Sequence, residues 1–75
     1  MTLSTLIRKI RQKSFMTQEE FASELNVAFS TVNRWENGKT IPNMSAMKKL
    51  KAFFAKKEIP FDEIESAWLE EADNE

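Results

Sequence analysis

The chain reads as an all-α domain of five short helices, and three observations carry that reading. Apolar residues recur at steps of three and four through residues 3–10, 21–25, 28–35, 44–54 and 61–68, the period of a helix face and not of a strand. Capping residues stand ahead of three of these runs: Thr17 with Glu20 three residues on, Asn43, and Asp62 with Glu65. Stop signals follow two of them, Asn26 and Asn37-Gly38, the latter holding the only glycine in the chain. Seventy-five residues make one small domain, of a size that buries roughly 60% of its unfolded surface.

Leu3, Leu6, Ile7 and Ile10 predict a first helix from about Thr2 to about Lys13, with Arg8, Lys9, Arg11 and Lys13 on its wet face. Ser14 and Phe15 lead into the next helix, and Phe15 is expected in the core or half-buried. The second helix opens on Thr17 in a capping box with Glu20, stapled by Met16 against Phe21. Phe21, Ala22 and Leu25 form its apolar face, and Asn26, which tolerates left-handed backbone, ends it.

The third helix is expected from about Ala28 to about Glu36. Its apolar stripe Ala28, Val32 and Trp35 turns inward, so Phe29, Ser30, Asn33 and Arg34 must turn outward. A ring, a hydroxyl, an amide and a guanidinium on one exposed surface suit the major groove of DNA. Arg bonds guanine O6 and N7, Asn pairs with adenine N6 and N7, Ser adapts to either, and a ring meets a thymine methyl. Two helices joined by about three residues, the second so equipped, make a helix-turn-helix. The plainer reading of the same pattern is an amphipathic helix with a solvated face.

The fourth helix, Met44 to about Lys56, is capped by Asn43 and carries Met44, Met47, Leu50 and Phe54 as its core stripe, with Ala46 and Phe53 beside them. Lys48, Lys49 and Lys51 read as a solvated basic face. Glu58-Ile59-Pro60-Phe61 breaks the pattern. Asp62, as cap, starts a short fifth helix to about Glu71, too short to stand alone, with Phe61, Ile64, Ala67 and Trp68 toward the body. Leu69 beside Trp68 widens the apolar surface into a candidate dimer or partner contact. Residues 72–75 are expected to fray.

Charge divides along the chain. All eleven bases lie in residues 1–57 against four acids, a net of +7, whereas residues 58–75 hold eight acids and no base, −8. The near-neutral total therefore hides a basic body of residues 1–57 suited to phosphate, with an acidic helix and tail of residues 58–75 docked on the same domain. With no Cys and no His there is no disulfide, no ordinary zinc site and no Ser-His or Cys-His pair. No glycine-rich phosphate loop is present either, so neither an enzyme nor a cofactor is expected. Residues 1–13 alternate apolar and basic residues, unlike a signal peptide, and no apolar run reaches membrane length, so a cytoplasmic setting is expected.

The run TQEEFASELNVAFSTVNRWENGK over residues 17–39, followed by Ile41-Pro42, resembles the phage repressor and Cro-type helix-turn-helix (XRE) family, with its TQEELA start, turn, and [RK]-W-E-N-G-K end. The likeness covers residues 3 to about 57. It implies a compact five-helix, lambda-repressor-like DNA-binding domain, bacterial or phage-encoded, acting as a transcriptional regulator and specifically a repressor. In its terms Phe29, Ser30, Asn33 and Arg34 read bases. Arg11, Gln18, Glu36, Asn37, Lys39 and Thr40 contact phosphate or orient those that do, Arg11 pairing with Glu36 and Gln18 offering its amide to the backbone. A homodimer on a palindromic operator follows, half-sites about one helical turn apart, with Trp68 and Leu69 as the dimer or partner contact. Two rivals are an antitoxin-type protein that binds a partner and represses its own operon, and a protein-only interaction module retaining the fold.

Three positions depart from the family pattern. Ala28 stands where a Ser or Thr cap is usual, with Ser30 or Thr31 as a substitute hydroxyl. Asn26 replaces a turn glycine. Phe29 replaces a polar reader, favouring a thymine methyl or a protein contact and leaving the operator sequence open.

Overall fold

The computed structural model describes residues 2–73, which form five helices: α1 Leu3–Lys13, α2 Gln18–Leu25, α3 Phe29–Glu36, α4 Met44–Lys56 and α5 Asp62–Asp73. Three N-termini are capped by side chains, those of α2 and α4 by the residues the sequence implies and that of α1 by Thr2, expected instead as its first helical residue. Thr17 and Glu20 complete a reciprocal capping box on α2, Asn43 accepts from Ala46 N at 2.9 Å on α4, and Thr2 accepts from Thr5 N at 3.3 Å on α1. α5 begins differently from expectation. Glu65 N donates to Phe61 O at 2.9 Å, so Asp62 is the first helical residue and not the cap. There it joins Glu63 and Glu65 in placing negative charge at the positive end of the helix dipole. α5 also runs past Glu71 to Asp73; of the residues expected to fray, 74 and 75 lie outside the described residues.

The first four helices stop by one device. Each ends on a left-handed residue, Phe15, Asn26, Gly38 or Glu58, with φ of 57°, 56°, 72° and 58°. The following N–H then reaches back to a carbonyl of the last turn: Met16 to Arg11, Val27 to Ala22, Lys39 to Arg34 and Ile59 to Phe54, at 3.2, 3.0, 3.0 and 2.8 Å. This closure explains where Phe15 lies. The left-handed backbone turns its ring to solvent, 95% exposed, and gives the inward place to Met16, which overturns the expectation of a core or half-buried Phe15.

The core is a single cluster drawn from all five helices. Leu3, Leu6 and Ile7 of α1 meet Phe21, Ala22 and Leu25 of α2, Val32 and Trp35 of α3, Ala46, Met47, Leu50, Phe53 and Phe54 of α4, and Ile64 and Ala67 of α5. Edge-to-face rings run through it: Phe21 to Phe53 at 5.3 Å, Phe53 to Phe54 at 6.1 Å, and Phe54 to Phe61 at 5.1 Å between centroids. Met44, expected in this stripe, is instead 61% exposed: it is the first residue of α4 and lines the groove beside Trp68 and Leu69, outside the core cluster. Ala28, likewise expected inward, is the exposed residue ahead of α3.

α5 is tied to both ends of the body. Trp68 Nε1 donates to Pro42 O at 2.6 Å, fixing the helix to the loop that follows α3. Leu3 N donates to Glu71 Oε2 at 2.8 Å, so an acid 68 positions away satisfies one of the free donors at the N-terminus of α1.

Candidate nucleic-acid interface

α2 and α3 pack directly on one another and are joined by Asn26, Val27 and Ala28. α3 inserts Val32, Trp35 and Glu36 into the body. That orientation exposes Ser30 and Arg34 and leaves Phe29 48% exposed, with Asn33 half-buried. Ala28 makes no side-chain cap bond, and neither Ser30 nor Thr31 supplies one in its place, contrary to the expected compensation. The start of α3 is held only by backbone donation from Thr31 and Val32 to Ala28 O, at 3.0 and 3.4 Å.

Glu36 is the buried charge of this unit, its side chain fully shielded. Arg11 grips it with two bonds, Nε to Oε2 at 2.7 Å and Nη2 to Oε1 at 2.8 Å, and uses Nη1 to reach Met16 O at 2.9 Å. Arg8 adds its charge at 3.5 Å and a bond from Nη2 to Glu36 O at 3.2 Å. Burial alone would push the Glu36 carboxyl up, but hydrogen bonds from Arg11 and Gln18 and the charges of Arg11 and Arg8 outweigh it. The net result is a carboxyl held below its ordinary range. The Arg11 guanidinium is correspondingly raised, chiefly by its bond to Glu36. The expected pairing of Arg11 with Glu36 thus appears as a bidentate clamp joining α1, α3 and the start of α2.

The amides form a chain outward from this charge. Gln18 Nε2 donates to Glu36 Oε1 at 3.1 Å, Asn33 Nδ2 donates to Gln18 Oε1 at 3.2 Å, and Asn37 Nδ2 donates to Asn33 Oδ1 at 3.0 Å. Gln18, Asn33, Glu36 and Asn37, four of the residues singled out in the sequence, are therefore one network, with Arg11 at its root. Phe29, Ser30 and Arg34 stand outside it on the exposed face of α3, and Lys39 and Thr40 lie exposed in the loop beyond Gly38. A cleft of about 450 Å³ runs beside α3 toward the first turn of α4, with Thr31, Arg34, Thr40, Asn43, Ser45 and Lys49 in its walls. Lys49 is less solvated than expected, because its Nζ donates to Asn26 O at 3.1 Å and so braces the turn between α2 and α3.

Trp68 and Leu69 are remote in sequence from this face and line a different groove. It holds about 160 Å³ between α4 and α5, flanked by Met44, Met47, Lys48, Lys51 and Glu65, with Met44 and Leu69 (51%) its exposed apolar members. Among the described residues no group of three or more His, Cys, Asp or Glu side chains is placed to hold a metal ion, and no helix is long and apolar enough to cross a membrane.

Sequence reasoning missed the Arg8 bond, the Lys49 brace, the Gln18 to Asn33 link and the Glu71 cap. Each joins side chains or termini on separate helices, for which a single sequence carries no periodic signal.

The geometry matches what comparison with known proteins finds. A family model described as Helix-turn-helix matches residues 7–59. The chain belongs to the helix-turn-helix family of phage repressor and Cro type. It is also similar to a protein of Enterococcus faecalis named as an HTH-type transcriptional activator, BcrR, with 32% identity over 64 residues. That match takes in 85% of this chain and 30% of the relative, so this helix-turn-helix chain spans under a third of the length of the relative. No solved structure matches it.

Proposed function

We propose that this helix-turn-helix chain is a sequence-specific reader of double-stranded DNA that regulates transcription in the cytoplasm. The observation that carries this reading is the exposed face of α3. A freely presented Arg34 stands beside Ser30 and Phe29, on a helix whose opposite face is locked into the core through Val32, Trp35 and the clamped Glu36. Arg34 supplies a fork for guanine, Ser30 an adaptable hydroxyl, and Phe29 an apolar surface for a thymine methyl. Lys39 and Thr40, with Asn37 and the first N–H groups of α2, hold the backbone phosphates and carry no sequence information.

One such helix covers few base pairs, so the unit that works is a homodimer on a palindrome. Its interface is the groove between α4 and α5. Exposed Met44 and Leu69, together with Trp68, form the apolar centre, while Lys48 and Lys51 lie on the α4 side and Glu65 on the α5 side. A twofold axis through this patch sets the lysines of each copy against the carboxylate of the other, which makes the patch complementary to itself. A domain seated on an operator in this way blocks access to it, hence repression. The alternative direction, activation, is favoured by the printed name of the Enterococcus relative.

The test is selection of bound sites from random duplex DNA by the wild type, Arg34→Ala and Leu69→Glu. A palindromic winner is expected for the wild type, loss of preference at one symmetric position for Arg34→Ala, and single half-sites for Leu69→Glu. Unchanged preference in Arg34→Ala sinks the reading of α3, and unchanged palindromy in Leu69→Glu sinks the proposed interface.

A further inference from the structure

We infer that Asn33 acts on DNA through Gln18: it is a positioning residue that holds the Gln18 carbonyl and so fixes the amide in the orientation that leaves its second N–H for a phosphate, and the buried charge of Glu36 sets the direction of that arrangement. The inference deepens the reading of α2 and α3 as a DNA-binding unit and rests on it.

An ionised carboxylate only accepts hydrogen bonds. Glu36, held ionised by Arg11 and Arg8, therefore obliges Gln18 to turn its NH2 group inward, where the bond measures 3.1 Å. The Gln18 carbonyl is then left facing α3, and it needs a donor. Asn33 provides one with its own NH2 at 3.2 Å, which in turn leaves Asn33 Oδ1 to accept from Asn37 at 3.0 Å. Each step leaves only one orientation for the next amide, so three side chains that would otherwise flip freely are aligned by one charge at the end of the row. Gln18 and Asn33 each keep one N–H uncommitted.

Two consequences follow. Gln18 is the first residue of α2, so the side chain carrying this spare N–H sits at the helix terminus whose free backbone donors suit a phosphate. Asn33, on the other hand, has both ends of its amide engaged within the protein. Pairing adenine through two bonds needs the amide to lie in the plane of the base, and the plane of the Asn33 amide is already set by its bonds to Gln18 and Asn37. Base preference therefore comes from Phe29, Ser30 and Arg34, and Asn33 contributes to affinity for any sequence.

A double-mutant cycle on the full chain tests this, using Gln18→Ala, Asn33→Ala and the double variant against the selected duplex and a scrambled duplex of equal length. Alanine is the best helix former, so both helices are retained, and thermal unfolding monitors this directly. Asn33→Ala is expected to weaken binding to both duplexes by the same factor, roughly three- to ten-fold, the worth of a hydrogen bond. The double variant should bind no more weakly than Gln18→Ala alone. Base preference from site selection should stay that of the wild type. The inference is overturned by a change of preference at one position in Asn33→Ala, or by losses that add in the double variant. Failure of the wild type to bind any duplex would remove the DNA reading itself and this inference with it; the two failures differ because the first leaves wild-type binding intact.

Discussion

Phe15 is the residue at which local conformation and side-chain chemistry disagree most. A left-handed backbone costs a side chain with a Cβ about 1–2 kcal/mol, and a ring 95% exposed recovers no burial in return. Phe15→Gly is therefore predicted to stabilise the fold by about 1 kcal/mol in denaturant titration; a loss of stability would show that the ring makes a contact worth more than the strain. Glu36 gives the opposite case, a charge whose removal is costly. Cutting one partner out of a buried pair costs about 3–5 kcal/mol, a large share of the stability of a domain this small. Folding lowers the pKa of Glu36, so its contribution is complete above the unfolded carboxylate range and fades as the pH falls through the lower folded value. Glu36→Gln should lose stability at neutral pH and show a shallower fall in stability below about pH 4.3, followed by unfolding across a pH series. An unchanged acid profile would mean that the clamp contributes nothing to folding. The sequence shows that Arg11 and Glu36 are both present, and the family resemblance pairs them. Only the structure shows that the pair also orders Gln18 and Asn33.

At the scale of elements, the helices were legible to within one or two residues, because periodicity and caps speak locally. The misses have a common cause. Phe15, Ala28 and Met44 sit at helix ends, where the apolar period continues in the sequence after the backbone has already turned away from the core. The start of α5 differs from the expected cap because Asp62 satisfies both the cap pattern and the acidic first turn. α3 is the element with a visible weakness, an N-terminus without any side-chain cap. Ala28→Ser is predicted to add about 1 kcal/mol, raising the melting temperature by roughly 4–8 °C. A melting temperature that does not rise would mean that Ala28 is held in a backbone geometry a serine hydroxyl does not serve.

Across the whole molecule, the division of charge is the feature that composition alone conceals. The acidic α5 does not stand apart as a tail. It packs on α1 through Ile64 and Ala67, caps the chain's first helix with Glu71 and ties Trp68 to the loop behind α3. The groove it shares with α4 shows exposed methionine and leucine that no other part of the described chain covers. This placement was only half legible. The sequence marked Trp68 and Leu69 as surplus apolar surface, but Met44 as their neighbour required the structure.

Affinity for the selected duplex, measured against a scrambled duplex across a salt series, tests the central claim most directly. A DNA reader of this design should prefer its selected site at every salt concentration, with log K falling linearly in log salt at roughly 0.9 per phosphate neutralised. Equal affinity for both duplexes, or binding indifferent to salt, would contradict it and turn attention to α3 and the α4–α5 groove as protein-binding surfaces.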